Sequence, residues 1–151
     1  MELAHFWGIL FISLHAMVPI TLAAIGETIE ESAGLFNIGL EGILLLGALA
    51  GALGAQASGS AIIGLMTGIT IGAAVGLIFG VISTTLRGSQ LISGVGINLF
   101  ALGFVALMLT VMGAPGFHSV ARDVQVPLIH LGVGSLSPLV IVTVILAVAV
   151  W

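Results

Sequence analysis

Residues 42–86 carry no charged side chain. That run is more than twice the ~20 residues one membrane-crossing helix needs, and a water-facing surface cannot be built from it. The rest of the chain has the same character. Of its 151 residues, 60% are hydrophobic and 5% charged, where a soluble domain carries about 25% charged residues. Mean hydropathy is +1.37. Lipid must therefore be the solvent, and the length leaves room for four or five helical spans of ~20 residues. The expected fold class is all-α: a polytopic membrane helix bundle with four complete transmembrane helices and the start of a fifth.

Polar interruptions divide the runs. They place spans at about 3–25, 38–56, 61–86, 90–112 and 138–151, in one membrane-embedded domain over 1–151. Pro19 falls near the end of the first span, where membrane helices tolerate it. Gln56-Ala57-Ser58-Gly59-Ser60 reads as a tight turn and Arg87-Gly88-Ser89-Gln90 as a short loop. Residues 113–138, rich in Pro and Gly, read as a surface loop with a short extended piece near 124–129. Within it, Arg122 and Asp123 are adjacent and expected to form a local ion pair. The last run, ~13 residues at 1.5 Å each, is too short for a hydrocarbon core of about 30 Å. The chain is thus expected to stop inside a span, as one piece of a longer subunit. The positive-inside tendency puts Arg87 in the cytoplasm; segment 26–42 then lies on the same side, and the 56–60 turn, the 113–138 loop and the N-terminus lie outside.

Much chemistry can be excluded. There is no cysteine, hence no disulfide, thiolate metal site or thiol redox chemistry. Two basic residues against six acids argue against nucleic acid as a partner, since phosphate neutralisation needs clustered Lys and Arg. The sequence has no H-E-x-x-H and no G-x-S-x-G frame. It also lacks a G-x-x-x-x-G-K-[ST] phosphate loop, so no ATP-hydrolysing site is expected. No catalytic residue, metal or cofactor is expected. His5, His15, His118 and His130 are far apart in sequence, and His15, on an apolar stretch, reads as a packed residue.

What remains are polar groups at or inside the spans. Segment 26–42 gathers four of the six acids, Glu27, Glu30, Glu31 and Glu41, between two apolar runs. Its glycines and Asn37 suggest a backbone that turns where it meets the membrane. Glu27, Glu30 and Glu31 read as solvated at the interface. Glu41 reads either as a group on a substrate path or as a carboxylate stabilised at a helix N-terminus. Asn98 lies inside the fourth span, with Gln90 and Ser93 a turn or two before it. It reads equally as a substrate contact or as an interhelical hydrogen bond, because intramembrane polar groups face cavities or other helices. The candidate path residues are therefore Asn37, Glu41, Gln90, Ser93 and Asn98. Gly64, Gly68, Gly72, Gly76 and Gly80 recur every fourth residue, a stripe that lets another helix approach closely. Gly47 and Gly51 repeat the spacing in the second span.

The run Gly26-Glu27-x-Ile29-x-Glu31-x-Ala33-Gly34-x-x-Asn37-Ile38-Gly39-Leu40-Glu41-Gly42 resembles the signature of permease subunits of nucleoside and simple-sugar ABC importers. These belong to the superfamily of branched-chain amino acid and ribose permeases. Gln90-Leu91-Ile92-Ser93-Gly94-Val95-Gly96-Ile97-Asn98-Leu99-Phe100-Ala101-Leu102-Gly103 looks like the family's second marker, and Pro19 also fits. Ser32 departs from the pattern, standing where the family usually has arginine. The resemblance covers the N-terminal half of a typical permease; the cytoplasmic coupling loop that engages the ATPase lies in the other half. It implies a multi-pass subunit of the cell (plasma or inner) membrane that forms part of a translocation pathway. Its partners would be a second permease subunit, cytoplasmic ABC ATPase subunits, an extracytoplasmic solute-binding protein and the lipid bilayer. Nucleosides would be the first expected solute and simple sugars the second. From a different class, the alternative is a small oligomeric channel or structural membrane protein assembled through glycine faces.

Overall fold

The computed structural model describes residues 2–114, 119–121, 124–130 and 134–151. His118, Arg122 and Asp123, with the ion pair expected of the latter two, lie outside the described residues. Among the described residues the chain is all-α apart from one short hairpin. It runs α1 (Glu2–Ser32), α2 (Leu40–Ser58), α3 (Ala61–Gly80), a π-helical turn (Val81–Thr85), α4 (Gln90–Val111), β1 (Ile129–His130), β2 (Ser135–Leu136) and α5 (Pro138–Val150). Four of the helices are long and apolar enough to cross a membrane, and α5 is a shorter apolar helix. Two compact units can be separated, Met1–Ile29 with Val126–Trp151 and Glu30–Gln125.

The sequence reading is corrected at the end of α1. The first span was expected to end near residue 25 and the second to begin near 38; α1 instead continues to Ser32. The reason lies in the acids themselves, since glutamate is a good helix former and Gly26 alone does not stop a helix already propagating. Gly34 does stop it. Its φ is +82°, its N–H donates to the Glu31 carbonyl (2.9 Å), and the Leu35 N–H donates back to the Glu30 carbonyl (2.9 Å). These two bonds form a Schellman cap, which needs a left-handed residue at that position. The non-helical stretch is thus only 33–39.

In the Glu30–Gln125 unit, α2 and α3 form a hairpin turned at Gly59 (φ +67°) and packed through glycines. A Cβ on Gly68 would lie 3.0 Å from the Gly47 carbonyl oxygen, and one on Gly51 would lie 3.2 Å from that of Gly64. Thr67 Oγ1 donates to the carbonyls of Gly64 (2.8 Å) and Ala50 (3.2 Å). The stripe is used unevenly. A Cβ on Gly72 would meet the Ile43 side chain at ordinary contact distance, and one on Gly76 or Gly80 would meet nothing within 4 Å among the described residues. A four-residue repeat drifts about 40° per step around a helix of 3.6 residues per turn, so its far end rotates off α2. Beyond it, the π-helical turn places the Leu86 N–H on the Val81 carbonyl (3.0 Å) and the Gly88 N–H on that of Ile82 (2.8 Å). Arg87 is held between them at φ +53°.

Helix α4 packs along α2 on an apolar core of Leu46, Leu49, Ala101 and Val105, flanked by Leu45, Leu53, Val75, Met108 and Leu109. The two helices run in the same direction. At its far end α4 closes with a second Schellman cap, Gly113 at φ +71° and the Ala114 N–H on the Leu109 carbonyl (2.9 Å).

In the other unit, β1 and β2 pair antiparallel, Ile129 with Leu136 and His130 with Ser135. Ser137 then starts α5: its Oγ accepts from the Leu139 N–H (3.3 Å), with Pro138 in the first turn, where a missing N–H costs nothing. Helix α1 meets this piece with side chains one turn apart. Gly134 lies against the Phe11 ring, which would have to move to admit a side chain there. The buried Ser137 N–H donates to His15 Nε2 (3.0 Å), while His15 Nδ1 lies 2.7 Å from the Phe11 carbonyl.

Candidate functional site

A stretch of backbone that is neither helix nor strand must find hydrogen-bond partners elsewhere. Segment 33–39 finds them on α4. Gln90, the first residue of α4, accepts from the Phe36 N–H at Oε1 (2.9 Å) and donates from Nε2 to the Gly34 carbonyl (3.3 Å). Asn98, two turns further along, accepts from the Gly42 N–H at Oδ1 (2.7 Å) and donates from Nδ2 to the Ile38 carbonyl (2.9 Å). Each carboxamide thus behaves as an extra peptide group, giving one donor and one acceptor without charge.

Glycines allow the approach. Gly39, Gly42 and Gly94 are buried. A Cβ on Gly94 would sit 2.8 Å from the Gly39 nitrogen, and one on Gly42 would sit 2.9 Å from the Ile97 carbonyl oxygen. Both atoms belong to the backbone and cannot swing aside. Gln90, Gly94 and Asn98 are spaced four apart, so one face of α4 presents clamp, gap and clamp in order. The bound segment advances in step with α4, from Gly34 opposite Gln90 to Gly42 opposite Asn98. Eight helical residues span about 12 Å. Helix α2 therefore begins well along α4 rather than level with its start.

The first turn of α2 shows how the clamp works. A helix leaves its first N–H groups without helical acceptors; here Asn98 accepts the one from Gly42, acting as a cap supplied from another helix. Asn37, almost fully buried, accepts the Gly39 N–H at Oδ1 (2.9 Å) and so fixes the turn entering α2. Each such bond is worth about 1 kcal/mol net, but removing a partner and stranding a buried group costs about 1–3 kcal/mol. The second figure decides the strength of this clamp.

The other candidates sit apart from it. Glu41 is exposed on the first turn of α2, where a carboxylate is favoured by the helix dipole. Ser93 Oγ donates to the Ser89 carbonyl (2.9 Å), a local bond within its own helix start. The glycines at 39, 42 and 94 were not singled out as contact residues from sequence, although the i, i+4 spacing of Gly94 and Asn98 carried that signal. Among the described residues, no group of three His, Asp or Glu could hold a metal ion.

A family model described as "branched-chain amino acid transport system / permease component" matches residues 9–151. The chain belongs to that permease family. Over 96 residues it is 35% identical to a putative glucose ABC transporter permease protein of Haloferax volcanii, covering 64% of this chain and 29% of the relative. Over 91 residues it is 36% identical to a guanosine ABC transporter permease protein of Bacillus subtilis, covering 56% and 28%. The chain thus spans less than a third of the length of these curated relatives in the regions it matches. No solved structure matches it. With its four apolar spans, this permease-family chain is a multi-pass protein of the cell (plasma or inner) membrane.

Proposed function

We propose that the chain forms part of the translocation pathway of an ABC importer for nucleosides or related sugars, as a permease subunit without its own ATPase site. The carrying observation is the broken backbone at 33–39, held by side chains of α4 along the membrane-spanning bundle. Placed inside the bilayer, such backbone would have to be buried in protein or line a water-filled cavity, and helix ends of that kind form transporter binding sites. The relatives, one named as a putative glucose permease and the other as a guanosine permease, support a neutral, hydroxyl-rich solute.

On this reading Glu41 faces the path and accepts hydrogen bonds from solute hydroxyls. Asn37, Gln90, Ser93 and Asn98 shape the wall beside it. Arg87 marks the cytoplasmic end. A second permease subunit, cytoplasmic ATPases and a solute-binding protein complete the importer. Guanosine and glucose uptake into vesicles carrying the assembled importer tests the reading, with Glu41→Gln as the probe. The expected outcome is saturable, ATP-dependent uptake of one of the two and a rise of about tenfold in KM for Glu41→Gln. Failure to take up either solute, with ATPases and binding protein present, would sink the assignment.

A further inference from the structure

Two carboxamides, four hydrogen bonds and three close glycines converge on one short segment, and the orientation of each carboxamide is fixed there by one donated and one accepted bond. We infer that Asn98 and Gln90 are positioning residues of the path: they fix the broken entry into α2 by replacing its missing backbone bonds, and they do not themselves recognise the solute. For transport this rests on the permease reading above; as a statement about the segment it stands on the geometry alone.

The two clamps differ in strength. Asn98 bonds at 2.7 and 2.9 Å beside the buried Gly39, Gly42 and Gly94. Gln90 bonds at 2.9 and 3.3 Å to Phe36 and Gly34, both exposed. A shorter bond away from water is the harder to break. The segment is therefore held more firmly at its α2 end than at its α1 end. A solute could reach Asn98 only through its second amide N–H or second lone pair, with the carboxamide already oriented by Gly42 and Ile38.

Hydrogen exchange separates the two roles. A first-turn N–H has no acceptor within its own helix, so slow exchange at Gly42 would report Asn98 directly, and slow exchange at Phe36 would report Gln90. In the 151-residue chain held in lipid nanodiscs, Asn98→Leu should speed exchange at Gly42 at least tenfold. Gln90→Leu should speed it at Phe36 by a smaller factor, and α3 should be unaffected in both. Asn98→Asp keeps an acceptor for Gly42 but loses the donor to Ile38, so Gly42 should stay slow. That variant decides the matter should Asn98→Leu also loosen α3. In the assembled importer, Asn98→Leu should lower the maximal uptake rate at least tenfold with KM changed less than threefold. Unchanged exchange over 34–42 in both leucine variants would overturn the inference, as would a tenfold rise in KM with exchange unaltered. If the wild-type importer moves no solute, the permease reading falls, and the exchange results still judge the clamp.

Discussion

The two units solve one problem with different side chains. In the Glu30–Gln125 unit, Asn98 and Gln90 satisfy stray backbone groups with carboxamides that both donate and accept. In the unit of Met1–Ile29 and Val126–Trp151, a single imidazole joins α1 to the start of α5. Because Nε2 accepts the Ser137 N–H, the ring proton belongs on Nδ1, facing the Phe11 carbonyl. The carboxamide bonds are indifferent to protonation. The histidine bond exists only in one tautomer of the neutral ring, because a protonated imidazole has no acceptor left. A backbone gap several residues long thus calls for paired, two-way groups, while a lone N–H at a helix start is met by one acceptor.

The comparison can be broken most severely at Gly94. Gly94→Leu would drive a side chain into the Gly39 backbone, and overpacking against immovable atoms costs about 1–3 kcal/mol or more. Thermal unfolding in detergent should show a large loss for this variant and almost none for Gly96→Ala, whose Cβ would meet nothing within 4 Å. Next in size, His15→Ala strands the buried Ser137 N–H at a cost of about 1–3 kcal/mol. His15→Gln, which can still offer an oxygen, should recover part of it in the same assay. Nitrogen-15 NMR of the wild-type ring should find the proton on Nδ1; a proton on Nε2 would remove the acceptor and with it the contrast between the units. The smallest effect is expected along α3. Gly68→Ala presses a methyl group against the Gly47 carbonyl and should destabilise. Gly80→Ala meets open space and should be neutral or stabilising, by at most about 1 kcal/mol from helix propensity.

The spans were legible because charge-free runs of helical length have few other uses. Segment 26–42 was legible as a break, though not its extent: three glutamates look like interfacial polarity in sequence, yet they extend α1 by two turns before Gly34 ends it. For Asn98 the residues alone left solute contact and interhelical bonding open, since an intramembrane amide serves either. The choice depends on where Ile38 and Gly42 lie, and their positions are set by Gly39 and Gly94 coming together across 55 positions of sequence. The histidine link was beyond reach for a similar reason: Ser137 is 122 residues from His15, and nothing local to either marks the other. The glycine repeat was visible as a pattern, while its unequal use follows from helical drift, which a list of positions conceals.

Arg87 illustrates a separate constraint. It occupies a left-handed backbone conformation that disfavours an L-residue by roughly 1–2 kcal/mol and that glycine, its own neighbour at 88, adopts freely. The folded state would be served at least as well by glycine at 87. What arginine brings is a fixed cation in a short loop between two emerging spans, the kind of mark that sets orientation when helices first enter the bilayer. On the proposed cytoplasmic placement of Arg87, that contribution would act on the nascent chain during biosynthesis, before any of the bonds around α2 exist.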